Sequence, residues 1–327
     1  MVITKTPFRL SFFGGGSDLA EFYHKSPGSV LSVSINQYMY IQTHKYFYED
    51  QIRVKYSKTE DVKKVSDLQH PIVREVLQKF GIEGALEISS IADIPGGTGL
   101  GSSSAFTVGL IHNLYSRLGK YVTKNQLAEE ACDIEIQRLH EPIGKQDQYA
   151  AACGGLQIYN FLPTEKVNTE KVLLTKDSYQ DFQDHLLLVY TGKTRSASSV
   201  LSEQKQNIQA HSDKFSVLKE MVSLVEEGKA ALYNHNLNEF GRLLDHGWML
   251  KKKMATKISD TEIDDIYTIA KKNGAIGGKI LGAGGGGFFL FLAEPQSHSQ
   301  ILSQLQLKKV DFKFEDEGSK VIYWGEE

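Results

Sequence analysis

Alternating apolar and polar residues predict β-strands in the first half of the chain. Residues 30–43 (VLSVSINQYMYIQT) alternate in this way, and shorter segments of the same kind lie at residues 86–91 and Leu186–Tyr190. Between the first two, Pro71–Phe80 has apolar residues at helical spacing, and Gly81 follows as a C-terminal cap. We therefore expect helices interleaved with strands.

Two further helices are predicted after residue 100. One apolar stripe at helical spacing ends at Gly119 and consists of Phe106, Leu110, Ile111, Leu114 and Leu118. The pair Thr123 and Gln126 has the spacing of a capping box and predicts a helix that runs to about residue 139. The stretch 163–185 is polar without a clear period, and we place a domain boundary near residue 180.

The second half is predicted to be rich in long helices. Helical spacing covers residues 198–228, 236–254 and 261–272, and the segment KILGAGGGGFFLFL then leads to a last helix and strand. This order is typical of an α+β protein with an antiparallel sheet. The predicted domains are residues 1–180 and 181–327.

The amino-acid composition limits the classes of molecule that the protein is expected to bind. The chain has 327 residues, of which 41% are apolar and 24% charged, so we expect it to fold throughout. The net charge of -3 provides no general field that would attract nucleic acid or an acidic membrane. Cys132 and Cys153 lack the spacing of a zinc site, and no signal peptide or membrane-spanning run is recognisable. A soluble cytoplasmic protein is therefore predicted, and any anion must be bound locally.

The segment PGGTGLGSSSAFTVGL, residues 95–110, places four glycines and three serines before a predicted helix. A helix N-terminus has unpaired N–H groups and a partial positive charge, which together favour a phosphate. The glycines let successive amides converge on that phosphate, and one serine hydroxyl could bind Mg²⁺. The predicted phosphate-binding residues are Gly96, Gly97, Gly99, Leu100, Gly101, Ser102, Ser103 and Ser104. A plain strand-to-helix turn capped by serine is the alternative.

Two common nucleotide motifs do not apply. The residue after Gly101 is Ser102, so the lysine of a Walker-type loop is missing. Residues 282–287 satisfy G-x-G-x-x-G, but FFLFL follows and predicts a buried strand where a dinucleotide fold needs a helix.

Two carboxylates complete the candidate chemistry. Glu135 lies on the same helical face as Leu127 and Ala131, and a buried carboxylate there needs a cation opposite it. Asp147 is followed by three alanines that permit close packing. A phosphate loop with two carboxylates suits magnesium-dependent phosphoryl transfer, in which Glu135 holds the metal and Asp147 orients or deprotonates a hydroxyl. A partly exposed salt bridge at the edge of the stripe is the alternative for Glu135.

These segments resemble the three motifs of the GHMP kinases, the superfamily of galactokinase, homoserine kinase and mevalonate kinase. TPFRLSFFGGGSD resembles the first motif, PGGTGLGSSSA the second and KILGAGGGGFFLFL the third, in the family's order. The resemblance implies an N-terminal domain like domain 2 of ribosomal protein S5 and a ferredoxin-like C-terminal domain. It further implies ATP on the glycine-serine loop.

The resemblance also assigns individual residues. Ser103 and Glu135 match the family's magnesium ligands, and Asp147 matches the catalytic aspartate of the galactokinase branch. Arg9 matches the arginine that this branch keeps beside the aspartate. Within the superfamily, the opening and closing motifs are most similar to kinases of D-glycero-D-manno-heptose 7-phosphate.

The acceptor site is the part that departs from galactokinase. Residues 14–18 read GGGSD where galactokinase has Gly-Glu-His-Thr-Asp, which removes two sugar contacts and makes simple galactose phosphorylation doubtful. The predicted substrate residues on this turn are Gly15, Gly16, Ser17 and Asp18. A second anion site, needed for a sugar phosphate, is predicted at Lys193 and Arg195, and Gly284 and Gly285 are expected to shape the substrate wall or pack on the nucleotide loop.

The expected activity is that of an ATP-dependent kinase acting on the anomeric O1 of a heptose 7-phosphate. Its expected partners are a small sugar phosphate, ATP and Mg²⁺, with neither nucleic acid nor membrane. Two alternatives stay open: a kinase for fucose or a related hexose, and a sensor that binds ATP and sugar without catalysis.

Overall fold

The structure is a computed structural model that describes residues 1–193 and 197–325. Its strands in this range are β1 (Val2–Phe13), β2 (Gly28–Lys45), β3 (Ile52–Lys55), β4 (Thr59–Val62), β5 (Leu86–Ala92), β6 (Leu156–Phe161), β7 (Val167–Lys171), β8 (Leu186–Tyr190), β9 (Ala275–Ile280), β10 (Phe288–Ala293), β11 (Lys308–Lys309) and β12 (Lys320–Trp324).

The helices of the same range alternate with the strands in the first half and dominate the second. They are α1 (Ala20–Tyr23), α2 (Pro71–Phe80), α3 (Ser102–Arg117), α4 (Lys124–Cys132), α5 (Gln146–Cys153), α6 (Lys176–Asp184), α7 (Ala197–Ala210), α8 (Ser212–Tyr233), α9 (Leu237–Lys252), α10 (Thr261–Lys272) and α11 (His298–Leu305). Among the described residues, no helix combines the length and apolar character needed to cross a membrane.

The first sheet has eight strands and is built on the long antiparallel pair β1–β2. Its main order is β12-β1-β2-β5-β3-β4, and β6 and β7 extend it from β2. Only β3 and β5 run parallel among these pairs. Strand β12 comes from the C-terminal end of the chain and pairs with β1. The chain therefore returns to the first sheet, which a single division near residue 180 does not anticipate.

The second sheet has four antiparallel strands in the order β11-β8-β10-β9. Strand β10 lies between β8 and β9 with every residue buried, as its continuous apolar sequence predicts. Phe289 packs edge-on against Trp248 of α9, which covers this sheet. Two sheets with segregated helices confirm the α+β class.

Several predicted bounds hold because they depend on local signals. Helix α2 spans Pro71–Phe80 and ends at Gly81 in the left-handed conformation, and Thr123 accepts a hydrogen bond from the amide of Gln126 as a cap of α4. The predicted helix beyond Cys132 continues as a π-helical turn over Asp133–Arg138. The stretch 163–185 differs from its prediction, because it holds the short edge strand β7 and the helix α6.

Helix α3 crosses the first sheet and carries the glycine-serine loop at its N-terminus. Ten of its sixteen residues are buried. One polar contact in its second half links distant segments: the Ser319 hydroxyl lies 2.9 Å from His112 Nδ1 and 2.9 Å from Thr6 Oγ1. Burial, with a smaller effect from Lys124, lowers the pKa of His112 to about 4.

This low pKa makes stability depend on pH. Between about pH 6.5 and 4, His112 is protonated in the unfolded chain but stays neutral in the folded protein. The free energy of unfolding therefore falls as the pH falls through this window. Glutamine does not titrate, so we expect His112→Gln to make the unfolding free energy depend less steeply on pH. The difference in slope should correspond to the uptake of up to one proton on unfolding. Urea unfolding at half-unit pH steps measures this difference, and equal slopes for the two proteins would refute the assignment.

The glycines of residues 282–287, called the third glycine cluster below, pack directly against the glycine-serine loop. Gly282 has φ of 68°, and a Cβ there would lie 2.5 Å from Gly99 Cα. A Cβ on Gly287 would lie 2.3 Å from the Thr98 carbonyl oxygen. The two backbones can approach this closely only without side chains, so these glycines fix the loop against the second sheet.

We expect Gly282→Ala to force these two segments apart. Gly119 is a matched control, since its φ is 65° and nothing lies within 4 Å of an added Cβ. Both alanine variants carry the same backbone strain, but only Gly282→Ala adds a clash, which we expect to lower its unfolding free energy by about 1–3 kcal/mol more. Chemical denaturation of both variants checks this, and equal losses would argue against the contact.

Candidate active site

A cavity of about 320 Å³ lies where the two sheets meet. One wall comes from β1 and the turn after it, a second from the glycine-serine loop and the N-terminus of α3, and a third from the start of α5. Helices α7, α8 and α9, strand β9 and the turn after β9 contribute the rest of the lining. The volume suits a small ligand.

The glycine-serine loop has the geometry of an anion cradle. Gly97, Gly99 and Gly101 all have positive φ, between 74° and 85°. Gly101 is the N-cap of α3, so the amides of residues 102–104 belong to the first turn and lack carbonyl partners within the helix. All six predicted residues of the set Gly97, Gly99, Gly101, Ser102, Ser103 and Ser104 line the cavity.

Gly96 and Leu100 of the same prediction do not line the cavity. Gly96 is exposed, and Leu100 is buried with its carbonyl accepting a hydrogen bond from the Arg9 amide at 3.2 Å. Leu100 therefore anchors the loop to β1. Its side chain packs in the core, and its neighbours Gly99 and Gly101 line the cavity.

Arg9 and Asp147 form a bidentate ion pair at the cavity wall. Arg9 Nε donates to Asp147 Oδ1 at 2.8 Å, and Arg9 Nη2 donates to Oδ2 at 2.9 Å. The third guanidinium nitrogen, Nη1, donates to the Gly99 carbonyl oxygen at 2.6 Å. Arg9 is buried, while the Asp147 side chain is 25% exposed and faces the cavity. The two parallel hydrogen bonds from the arginine fix the orientation of the carboxylate.

Glu135 is buried beside the phosphate loop. Only 1% of it is exposed, and it accepts hydrogen bonds from the Ser103 hydroxyl at 2.6 Å and from the Gln148 amide at 2.7 Å. Burial raises the pKa of Glu135 to about 7, and the hydrogen bonds from Ser103 and Gln148 offset only part of this effect. The expectation of a buried carboxylate on this helical face is confirmed.

The oxygens of Glu135 and Ser103 suit Mg²⁺, which prefers hard oxygen ligands. Within residues 1–193 and 197–325, no cluster of three or more acidic, histidine or cysteine side chains could form a complete metal cage. A magnesium ion here fits the usual pattern of one or two protein ligands, with phosphate oxygens and waters supplying the rest.

The turn after β1 contributes in a different way from the one predicted. Gly15, Gly16 and Asp18 line the cavity. Asp18 Oδ1 accepts from the Gly16 amide, and Oδ2 accepts from the Gln146 amide at 3.2 Å, so this carboxylate also holds the start of α5 next to Asp147. Burial raises the pKa of Asp18.

Ser17 is a correction to the predicted substrate set. It is fully buried, and its hydroxyl both donates to the Ser29 carbonyl and accepts from the Ser29 amide, each at 3.0 Å. Its hydrogen-bonding capacity is used within the fold, so the structure gives it no contact with the cavity.

Of the predicted second anion site, Lys193 does not line the cavity. Lys193 pairs with Asp260 at 3.6 Å and with Glu262 at 2.5 Å, and its hydrogen bond to Glu262 raises its pKa. Arg195 lies outside the described residues. Of the two predicted glycines, Gly284 lines the cavity, whereas the Gly285 amide donates to the Ile258 carbonyl oxygen at 2.9 Å.

Two lysines of the cavity wall were missed by sequence reasoning. Lys251 lies three residues after the buried Trp248 and seven after the buried Leu244, which places it on the inner face of α9. Lys279 lies in β9, directly before the third glycine cluster. The periodicity of α9 could have identified the first of them.

The sequence profiles of a kinase superfamily match both parts of the chain. The profile of the GHMP kinases N terminal domain matches residues 67–155, and that of the GHMP kinases C terminal domain matches residues 229–310. The first match contains the glycine-serine loop, Glu135 and Asp147. The second contains the third glycine cluster and both cavity lysines.

Individual relatives agree with these matches. A D-glycero-alpha-D-manno-heptose 7-phosphate kinase of Campylobacter jejuni is 27% identical over 97% of both chains. An L-fucokinase/L-fucose-1-P guanylyltransferase of Bacteroides fragilis is 25% identical over 91% of this chain and 35% of its own length.

The fold itself recurs in solved structures. The crystal structure of a D-glycero-D-manno-heptose 1-phosphate kinase from Bacteroides thetaiotaomicron superposes with a TM-score of 0.81 over the whole of both chains, at 23% identity. With both domain profiles matched in order around one cavity, the chain belongs to the GHMP kinases, which transfer phosphoryl groups to alcohols.

Proposed function

We propose that the protein is an ATP-dependent kinase that transfers the γ-phosphoryl group to the anomeric O1 of D-glycero-D-manno-heptose 7-phosphate, giving the 1,7-bisphosphate. The observation that carries this proposal is the cavity in which the Arg9–Asp147 pair faces the glycine-serine loop. The Campylobacter relative, matched along 97% of its length, supplies the acceptor. The reaction would take place in the cytoplasm and serve nucleotide-activated heptose synthesis.

The nucleotide would lie with its phosphates on the amides of residues 97–104. These amides belong to the first turn of α3 and to a loop with alternating positive φ, and both features concentrate N–H donors on an anion. Glu135 and Ser103 would hold Mg²⁺ beside them, where the ion neutralises charge on the phosphate oxygens.

Asp147 would receive the acceptor hydroxyl. As the bond between O1 and phosphorus forms and the bond to the ADP oxygen breaks, the hydroxyl proton passes to the Asp147 carboxylate. Arg9 holds this carboxylate in a fixed orientation at the cavity wall, and its contact with the Gly99 carbonyl oxygen ties its position to the phosphate loop.

L-fucose is the second candidate acceptor, because the Bacteroides fragilis relative with fucokinase in its name matches 91% of this chain. The two acceptors differ in one property that matters here. Heptose 7-phosphate brings a dianion into the cavity, and fucose is neutral. The side chains of Lys251 and Lys279 line the cavity, and their N–H donors favour the phosphorylated acceptor.

An acceptor screen tests the proposal directly. Purified protein with MgATP is offered heptose 7-phosphate, heptose, fucose, galactose and mevalonate, and products are identified by mass spectrometry and phosphorus NMR. We expect one new phosphate on O1 of heptose 7-phosphate and a kcat/KM at least 10²-fold above that for fucose. Preferred turnover of fucose, or ATP and sugar binding with no turnover of any acceptor, would contradict the proposal.

Asp147→Asn tests the role of the carboxylate. The amide keeps the shape of the side chain and can still accept from Arg9, but it cannot take a proton, so we expect kcat to fall about 10²–10⁴-fold with little change in the KM for ATP. The matched control is Asp133→Asn, a surface carboxylate paired with Lys79 and Arg138. Steady-state kinetics of both variants measures the effect, and equal rates for Asp147→Asn and wild type would exclude the assigned role.

A further inference from the structure

Two ammonium groups face the cavity without an acidic partner. Lys279 is 6% exposed, and its Nζ donates to the Phe12 carbonyl oxygen at 2.7 Å. Lys251 Nζ donates to the carbonyl oxygens of Ile280 at 3.0 Å and Gly282 at 2.6 Å. In the described part of the chain, neither lysine forms an ion pair with a carboxylate.

The hydrogen-bonding capacity of these groups is only partly used. An ammonium has three N–H donors. The contacts above use one donor of Lys279 and two of Lys251, which leaves two and one for a ligand. Both side chains line the cavity, so these donors are available to what it binds.

The electrostatics of this wall calls for an anion. Burial lowers the pKa of Lys251 to about 7 and that of Lys279 well below its ordinary value. Repulsion by Arg9 adds to the lowering of both pKa values, and repulsion by Lys251 adds to that of Lys279. A buried charge is costly without a counter-charge. Arg9 already has Asp147 as its partner, and the two lysines have none.

The position of Lys279 separates this anion from the nucleotide phosphates. Its Nζ contacts Phe12, which lies near the end of β1, directly before the turn that carries Gly15, Gly16 and Asp18 into the cavity. The nucleotide phosphates have their own donors in the first turn of α3. Lys279 therefore lies on the acceptor side, and Lys251 contacts the turn at Gly282 that packs on the glycine-serine loop.

We propose that Lys279, assisted by Lys251, binds the phosphate monoester that the acceptor sugar already carries. This assignment rests on the proposed function and places the second phosphate site at β9 and α9, in place of the site predicted at Lys193 and Arg195. The same chemistry could instead serve the γ-phosphoryl group of ATP, and the experiment separates these two sources.

The experiment compares binding and turnover in Lys279→Met, Lys251→Met and Lys252→Met. Methionine keeps the length of the side chain and removes its charge. Lys252 is the matched control, since it is the neighbour of Lys251 on α9, pairs with Asp264 and does not line the cavity. Calorimetry gives the Kd of heptose 7-phosphate and of MgATP for each protein, and steady-state kinetics gives kcat/KM for heptose 7-phosphate and for heptose.

We expect Lys279→Met to weaken heptose 7-phosphate about 10- to 100-fold, the range for hydrogen bonds to a charged group. The Kd of MgATP should change less than threefold, which also shows that the variant is folded, and kcat/KM for unphosphorylated heptose should not fall. Lys251→Met should show the same pattern and carries the test if Lys279→Met does not fold. Lys252→Met should match wild type.

The inference is overturned if Lys279→Met weakens MgATP as much as heptose 7-phosphate, or if it leaves the affinity for heptose 7-phosphate unchanged. Failure of the proposed function is a separate result, seen when wild type itself does not bind heptose 7-phosphate. Inorganic phosphate is then the probe: a loss of at least tenfold in its affinity in Lys279→Met supports an anion site here, and equal affinities in wild type and variant refute it.

Discussion

The buried ion pair between Arg9 and Asp147 joins three segments that are distant in sequence. Arg9 belongs to β1, Asp147 to the first turn of α5, and the third guanidinium nitrogen reaches Gly99 on the phosphate loop. Breaking such a pair leaves an uncompensated buried charge, which destabilises a protein more strongly than loss of a surface pair. Arg9 therefore fixes the positions of the Asp147 carboxylate and the glycine-serine loop relative to each other.

The cavity is assembled from both sheets because glycines allow their backbones to meet. Gly99 contacts the backbone at Leu281 and Gly282, and Gly101 leaves room for the Asp147 side chain, which lies 3.3 Å from the position of a Cβ there. Lys251 then bridges from α9 to the carbonyls of the same turn. Strand β9 of the second sheet and helix α9 contribute Lys279 and Lys251, and the N-terminal part of the chain contributes Arg9, the glycine-serine loop and Asp147.

The glycine-serine loop, Glu135 and Asp147 could be selected as candidate site residues because the residues around each of them form a recognisable local pattern. A glycine-serine run before an apolar stripe, and a carboxylate on the inner face of a helix, are local patterns with a physical meaning. Helix α2 and strand β8 have their predicted bounds for the same reason.

The remaining site residues depend on contacts that no local pattern encodes. Ser17 was predicted to bind substrate, but its hydroxyl is hydrogen-bonded to Ser29. Lys193 was predicted to bind an anion, but it pairs with carboxylates more than 60 residues later in the chain. Lys279 becomes a cavity residue only because β9 lies beside the end of β1. A strand pattern gives the side on which a residue lies, and the tertiary fold decides what faces it.

A crystal structure with a non-hydrolysable ATP analogue, Mg²⁺ and heptose 7-phosphate is the most direct measurement. The proposed function predicts the triphosphate on the amides of residues 97–104, with O1 of the sugar about 3–3.5 Å from the terminal phosphorus and within about 2.6–3.2 Å of an Asp147 oxygen. A triphosphate bound away from this loop, or an O1 remote from Asp147, would contradict it.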